Sequence, residues 1–104
     1  MSHIKRLTTF GAAAVVAAAT LISTPAKAAE HEWKMATSWG GGPLMELGAK
    51  AFAEKIDLLS NGRIKVQVFT GGTLGKALRV SDTVKNGIAQ VGHTWMGYDW
   101  GRNK

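Results

Sequence analysis

Four side chains able to hydrogen-bond or stack fall within eight positions near the end of the chain: His93, Trp95, Tyr98 and Trp100, in the string HTWMGYDWG. Aromatic walls with a few polar tips suit a small organic ligand. The same rings also suit burial beneath a loop, Trp95 and Trp100 above all, and the two readings stand level. A second cluster, Ser38-Trp39 followed by Gly40, Gly41, Gly42 and Pro43, precedes a helical pattern. Backbone N–H groups at a helix start attract carboxylate or phosphate, although glycines there serve a tight strand-to-helix turn equally well. Neither the phosphate-loop spacing nor the dinucleotide G-x-G-x-x-G is present, and Gly71, Gly72 and Gly75 fit neither.

The inventory for catalysis is poor. His93 is the one well-placed imidazole, and only Asp99 stands near enough in sequence to join it. No paired carboxylates, metal-ligand cluster or nucleophile elbow assembles, so the expectation is no enzyme, no catalytic residue, no metal and no cofactor. The chain has no cysteine, which excludes disulfides and thiolate chemistry. A secreted hydrolase built on His93 is the weakest alternative and would need a second His or acid to converge there.

The elements that must position these residues follow from hydrophobic period. Residues His31 to Ser38 alternate as a strand and stop at the three glycines. Pro43 suits a first helical turn, after which Leu44, Leu47, Ala51, Phe52, Ile56 and Leu59 keep helical spacing and predict the buried stripe. Ser60-Asn61-Gly62 ends that helix. Arg63 to Phe69 alternates again, with Ile64, Val66 and Val68 on one face. A second helix is predicted over Lys76 to Asn86 with Leu78, Val80 or Ser81, and Val84 inward, stopped by Gly87, and Ile88 to Thr94 forms a third strand. The order βαβαβ implies an α/β fold with a mainly parallel sheet and right-handed crossovers. Ligands of such sheets bind beyond the carboxyl ends of the strands. That places Ser38 to Pro43, Thr70 to Gly75 and His93 to Trp100 at one edge.

Ahead of this domain, Lys5 and Arg6, the apolar Ala-rich run Leu7 to Ile22, and Ala26-Lys27-Ala28 follow the n-region, h-region and cleavage-site order of a secretory signal peptide. We expect residues 1–28 to be a leader cleaved near Ala28, and residues 29–104 to be an exported domain. The full chain has a formal net charge of +6. Loss of Lys5, Arg6 and Lys27 with the leader lowers it to +3. The remaining cations are scattered among acids rather than gathered on one face, so nucleic acid is not an expected partner. The 76 residues left when 28 are removed from 104 have a thin margin of core burial without staples. Either they form a complete small secreted α/β interaction module, or they are part of something larger.

Three strings, WKMATSWGGGP, FAEKIDLLSNGRIKVQVFTGGTLG and SDTVKNGIAQVGHTWMGYDW, follow in an order that resembles the N-terminal portion of the extracytoplasmic solute-binding proteins of TRAP (tripartite ATP-independent periplasmic) transporters. The resemblance covers Trp33 to Trp100. It implies the start of lobe I of a two-lobe periplasmic-binding-protein fold, incomplete at Lys104 because family members are much longer. It implies a non-enzymatic periplasmic receptor that captures an organic acid, such as a 2-oxo acid, another monocarboxylate or a dicarboxylate. The receptor would pass that ligand to membrane permease subunits driven by an ion gradient. Carried over residue by residue, Trp39, His93, Thr94, Trp95 and Tyr98 are expected to face the ligand cleft. Arg79 and Arg102 do not match the family arginine that pairs with a ligand carboxylate. One wall without its opposite is expected to lose affinity by orders of magnitude.

Overall fold

A computed structural model describes Gly11 and residues 28–102. The expected leader therefore lies, but for Gly11 and Ala28, outside the described residues. Three parallel strands, β1 (His31–Thr37), β2 (Ile64–Phe69) and β3 (Val91–His93), form one sheet in the order β2-β1-β3. The α/β class and the parallel sheet expected from the alternation are those observed. β1 is central: Met35 stands opposite Val68 on one side and Val91 on the other.

This order dictates where the helices go. The chain leaves β1 for β2 in one direction and returns past β1 to β3 in the other, so two right-handed crossovers fall on opposite faces. Successive strand residues also point to opposite faces. Met35 packs with Met45 and Ala49 of the first crossover, together with Val66, Val68 and Val91. Its neighbour Ala36 packs with Val80 of the second crossover and Ala89, with Leu74 and Val84 beside them. Each helix thus has its own small core. At Gly92 a Cβ would stand 2.7 Å from Val80 Cγ1, so the second helix approaches β3 at a distance only glycine permits.

The first crossover departs from the predicted pattern. Residues Leu44–Lys50 form a π-helix that runs into helix α1 (Ala51–Leu59). Met45 and Ala49 are the buried residues, whereas Leu44, Leu47, Phe52 and Leu59 of the expected stripe are exposed, Leu47 by 80% and Leu59 by 83%. Met45 and Ala49, four residues apart, take the inward face in place of Leu44 and Leu47, so the buried side lies one to two positions out of step with the predicted stripe.

The second crossover is also broken in two, a 3₁₀ turn (Ala77–Arg79) followed by helix α2 (Val80–Lys85). Val80 and Thr83 are buried and Val84 packs beside them, but Leu78, expected inside, is exposed. The third strand is shorter than predicted. Gln90 accepts the Lys34 N–H with its side-chain Oε1 at 2.8 Å and donates its own N–H to the Lys34 carbonyl at 3.1 Å. A side chain thereby takes a β1 donor that a longer strand would satisfy with a carbonyl, and regular pairing begins only at Val91.

Candidate functional site

The sheet order reverses direction at β1, between β2 and β3, and such a switch point is where open α/β sheets leave a crevice at the strand carboxyl ends. Here the segments after β1 and β3 are tied together. The Ser38 N–H donates to the His93 carbonyl at 3.3 Å, and the Ser38 and Thr94 hydroxyls share a hydrogen bond of 2.6 Å. The segment after β2 joins through Gly71, whose N–H donates to the Trp39 carbonyl at 2.8 Å. Below them, the buried Thr37 hydroxyl donates to the Phe69 carbonyl at 2.8 Å. All three segments expected at this edge are therefore coupled to one another.

Trp39 and His93 form the floor of the crevice. The indole Nε1–H donates to His93 Nδ1 at 2.7 Å, with the rings edge to face and their centroids 6.0 Å apart. Beyond β3 the chain enters a 3₁₀ turn (Met96–Asp99). That turn folds Tyr98 back so that its ring meets Trp95 edge-on at 5.3 Å and lies 6.5 Å from Trp39. Trp39, Leu44, His93, Thr94, Trp95 and Tyr98 enclose an open cavity of about 370 Å³. The size falls in the range of small-molecule sites. None of the lining side chains is a carboxylate, ammonium or guanidinium.

The five residues singled out in the sequence, Trp39, His93, Thr94, Trp95 and Tyr98, thus line one cavity. Trp95 is 63% exposed and Trp100 is 91% exposed, so neither is core, and Trp100 does not line the cavity. Asp99 does not approach His93. Its carboxylate accepts from the Ser81 hydroxyl at 2.8 Å and from the Arg102 guanidinium. Arg102 also donates to Asp82 at 2.9 Å, and Arg79 reaches the same Asp82 oxygen at 3.1 Å. The Arg102 guanidinium, then the Ser81 hydroxyl, hold the Asp99 carboxyl below its ordinary value. Arg102 and then Arg79 do the same for Asp82. This network anchors the 3₁₀ turn to α2, outside the cavity. Leu44 and Gly48 were not foreseen at the site. Leu44 reads as core from its helical spacing, but its neighbour Met45 takes the inward place and Leu44 lies along the cavity.

Residues 35–104 match the family model of the bacterial extracellular solute-binding proteins, family 7. The chain belongs to that family. Family 7 is a family of solute-binding proteins and not of enzymes, which agrees with the expectation from the poor catalytic inventory. A monocarboxylate 2-oxoacid-binding periplasmic protein of Nostoc sp. is 35% identical over 71 residues, covering 68% of this chain and 20% of that protein. The chain spans about a fifth of the length of that curated relative.

Two solved family structures share the fold. A TRAP transporter solute-binding protein of Bordetella bronchiseptica, with copurified calcium and picolinate in its active site, is 26% identical with a TM-score of 0.64, over 74% of this chain and 23% of that one. A TRAP periplasmic solute-binding protein of Rhodobacter sphaeroides in an open apo form is 26% identical with a TM-score of 0.62, over 70% of this chain and 23% of that one. Among the described residues no group of three or more His, Cys, Asp or Glu side chains is placed to hold a metal ion. No metal role is carried to this family 7 chain.

Proposed function

We propose that residues 29–104 supply one wall of the ligand cleft of a periplasmic receptor that captures an organic acid for a TRAP-type transporter. In this reading residues 1–28 are a leader removed near Ala28, and the receptor hands its ligand to membrane permease subunits. Trp39, His93, Thr94, Trp95 and Tyr98 contact the ligand. The observation that carries the reading is their convergence around one cavity at the switch point of the sheet. The ligand class is supported by the 2-oxoacid named for the Nostoc relative and by picolinate, also a monocarboxylate, in the Bordetella protein.

A single wall without a countercharge holds a carboxylate weakly, so the test must detect weak binding. Amide and indole N–H spectra of the chain, titrated with millimolar pyruvate or succinate, should shift at Trp39, Trp95 and Tyr98 and stay still at Leu58 and Lys85. Shifts confined to residues away from this cavity, or none at any concentration, would overturn the proposal. The alternative, a small secreted α/β interaction module, draws on Leu47, Leu58 and Leu59, all exposed on the first crossover. It predicts self-association or partner binding through those leucines and no response to organic acids.

A further inference from the structure

The imidazole of His93 is held on two sides, and each side has a chemical consequence. An indole N–H can only donate. At 2.7 Å from Trp39 Nε1, Nδ1 of His93 must therefore present its lone pair, and a neutral ring then carries its proton on Nε2. Gly48 of the π-helix stands against the Cε1–Nε2 side of the ring. A Cβ at that position would lie 2.8 Å from Cε1 and 3.0 Å from Nε2 of His93. A Cβ at position 48 would force the ring to shift, so the missing side chain there lets His93 keep the place in which Trp39 Nε1 meets it.

Among the described residues Nε2 has no protein partner, while Nδ1 is engaged by Trp39. The Thr94 hydroxyl, also in the wall, is already bonded to Ser38. His93 thus brings to the cavity wall an N–H whose tautomer the protein sets, beside the Tyr98 hydroxyl and the Trp95 indole N–H. We propose that Trp39 and Gly48 together fix His93 as the Nε2–H tautomer, and that this N–H donates to an oxygen of the bound ligand. Gly48 is then a positioning residue and His93 a specificity-determining one. A donor rewards a carboxylate or keto oxygen and penalises a ligand that presents an ammonium group. This inference rests on the cleft reading above.

Nitrogen-15 spectra of the imidazole in the intact chain test the lock without any ligand. Nδ1 should resonate in the pyridine-type region and Nε2 in the pyrrole-type region. Gly48→Ala should move the Trp39 indole N–H towards its free position and let the two tautomers mix, with the β1 and β2 amide pattern kept. Trp39→Phe should release the tautomer without touching position 48. A proton found on Nδ1 in the natural chain, or a Gly48→Ala spectrum unchanged at both rings, overturns the lock. Pyruvate should then shift the Nε2 signal, and each variant should bind it several-fold more weakly. If Trp95 and Tyr98 respond to pyruvate while Nε2 does not, the donor role fails and the cleft reading survives. Silence at every residue removes the cleft reading and the donor role together, leaving the ligand-free lock to stand or fall by itself.

Discussion

The indole of Trp39 reaches Nδ1 of His93 across 54 positions of sequence, joining the carboxyl end of β1 to that of β3. A net gain of about 0.5–1.5 kcal/mol is usual for one such bond. Trp39→Phe keeps a ring in place and removes the donor, so the unfolding free energy should fall by that amount, read as a lower urea midpoint with an unchanged m-value. An unshifted midpoint would mean the bond adds nothing to stability.

Thr37 offers a stricter case, because its side chain is only 2% exposed and its hydroxyl serves the Phe69 carbonyl. Thr37→Val preserves shape and strands that carbonyl. Leaving a buried acceptor unpaired costs about 1–3 kcal/mol, a loss that thermal or urea unfolding would register. A neutral result would imply that water replaces the hydroxyl.

The π-helix makes a paired prediction about neighbouring positions. Leu47→Gln falls on an exposed site and should change stability by no more than about 0.5 kcal/mol. Ala49 has no exposed surface and faces Met35 and Met45, so Ala49→Leu should destabilise by about 1–3 kcal/mol through overpacking. The reverse ranking would place Leu47 inward and Ala49 outward, against the observed face.

The Arg102, Asp99 and Asp82 network should respond to acid. Both carboxyls sit below their ordinary values because of arginine hydrogen bonds. The unfolded chain therefore binds protons first, near the usual aspartate value of about 3.9. The contribution is complete above that pH and is lost as pH falls through the lowered folded values. The protection of the Tyr98 and Asp99 amides, relative to the intrinsic exchange rate at each pH, should fall below about pH 4, and added salt should weaken the share carried by Asp82, whose side chain is 45% exposed. Arg102→Gln should show lower protection already at neutral pH and lose the acid step. Equal profiles in the two proteins would dismiss the network as an anchor.

Much of this was legible from residue types. The alternation in His31–Thr37 and Ile64–Phe69, broken by glycine runs, is enough to place two parallel strands. The aromatic string after β3 and Trp39 after β1 could be assigned to one edge because strand ends of a parallel sheet share it. The errors arose where hydrogen bonding left its usual period. Nothing in LMELGAK announces i→i+5 bonding, so Leu47 was read as core and Ala49 passed unnoticed. Gln90 shortened β3 through a side-chain bond that no periodicity encodes. The contact between Gly48 and His93 joins residues 45 positions apart and becomes visible only when the first crossover lies against the third strand.

The central place of β1 also governs the order in which the molecule can assemble. Of the three described strands this one is made first, yet its partners begin at Ile64 and Val91. Until both arrive, Met35 and Ala36, the seeds of the two cores, have no sheet neighbours to cover them. Non-local pairing of this kind slows folding because loop closure must precede reward. The growing chain therefore carries both seeds without their full set of sheet neighbours until Val91–His93 has been made.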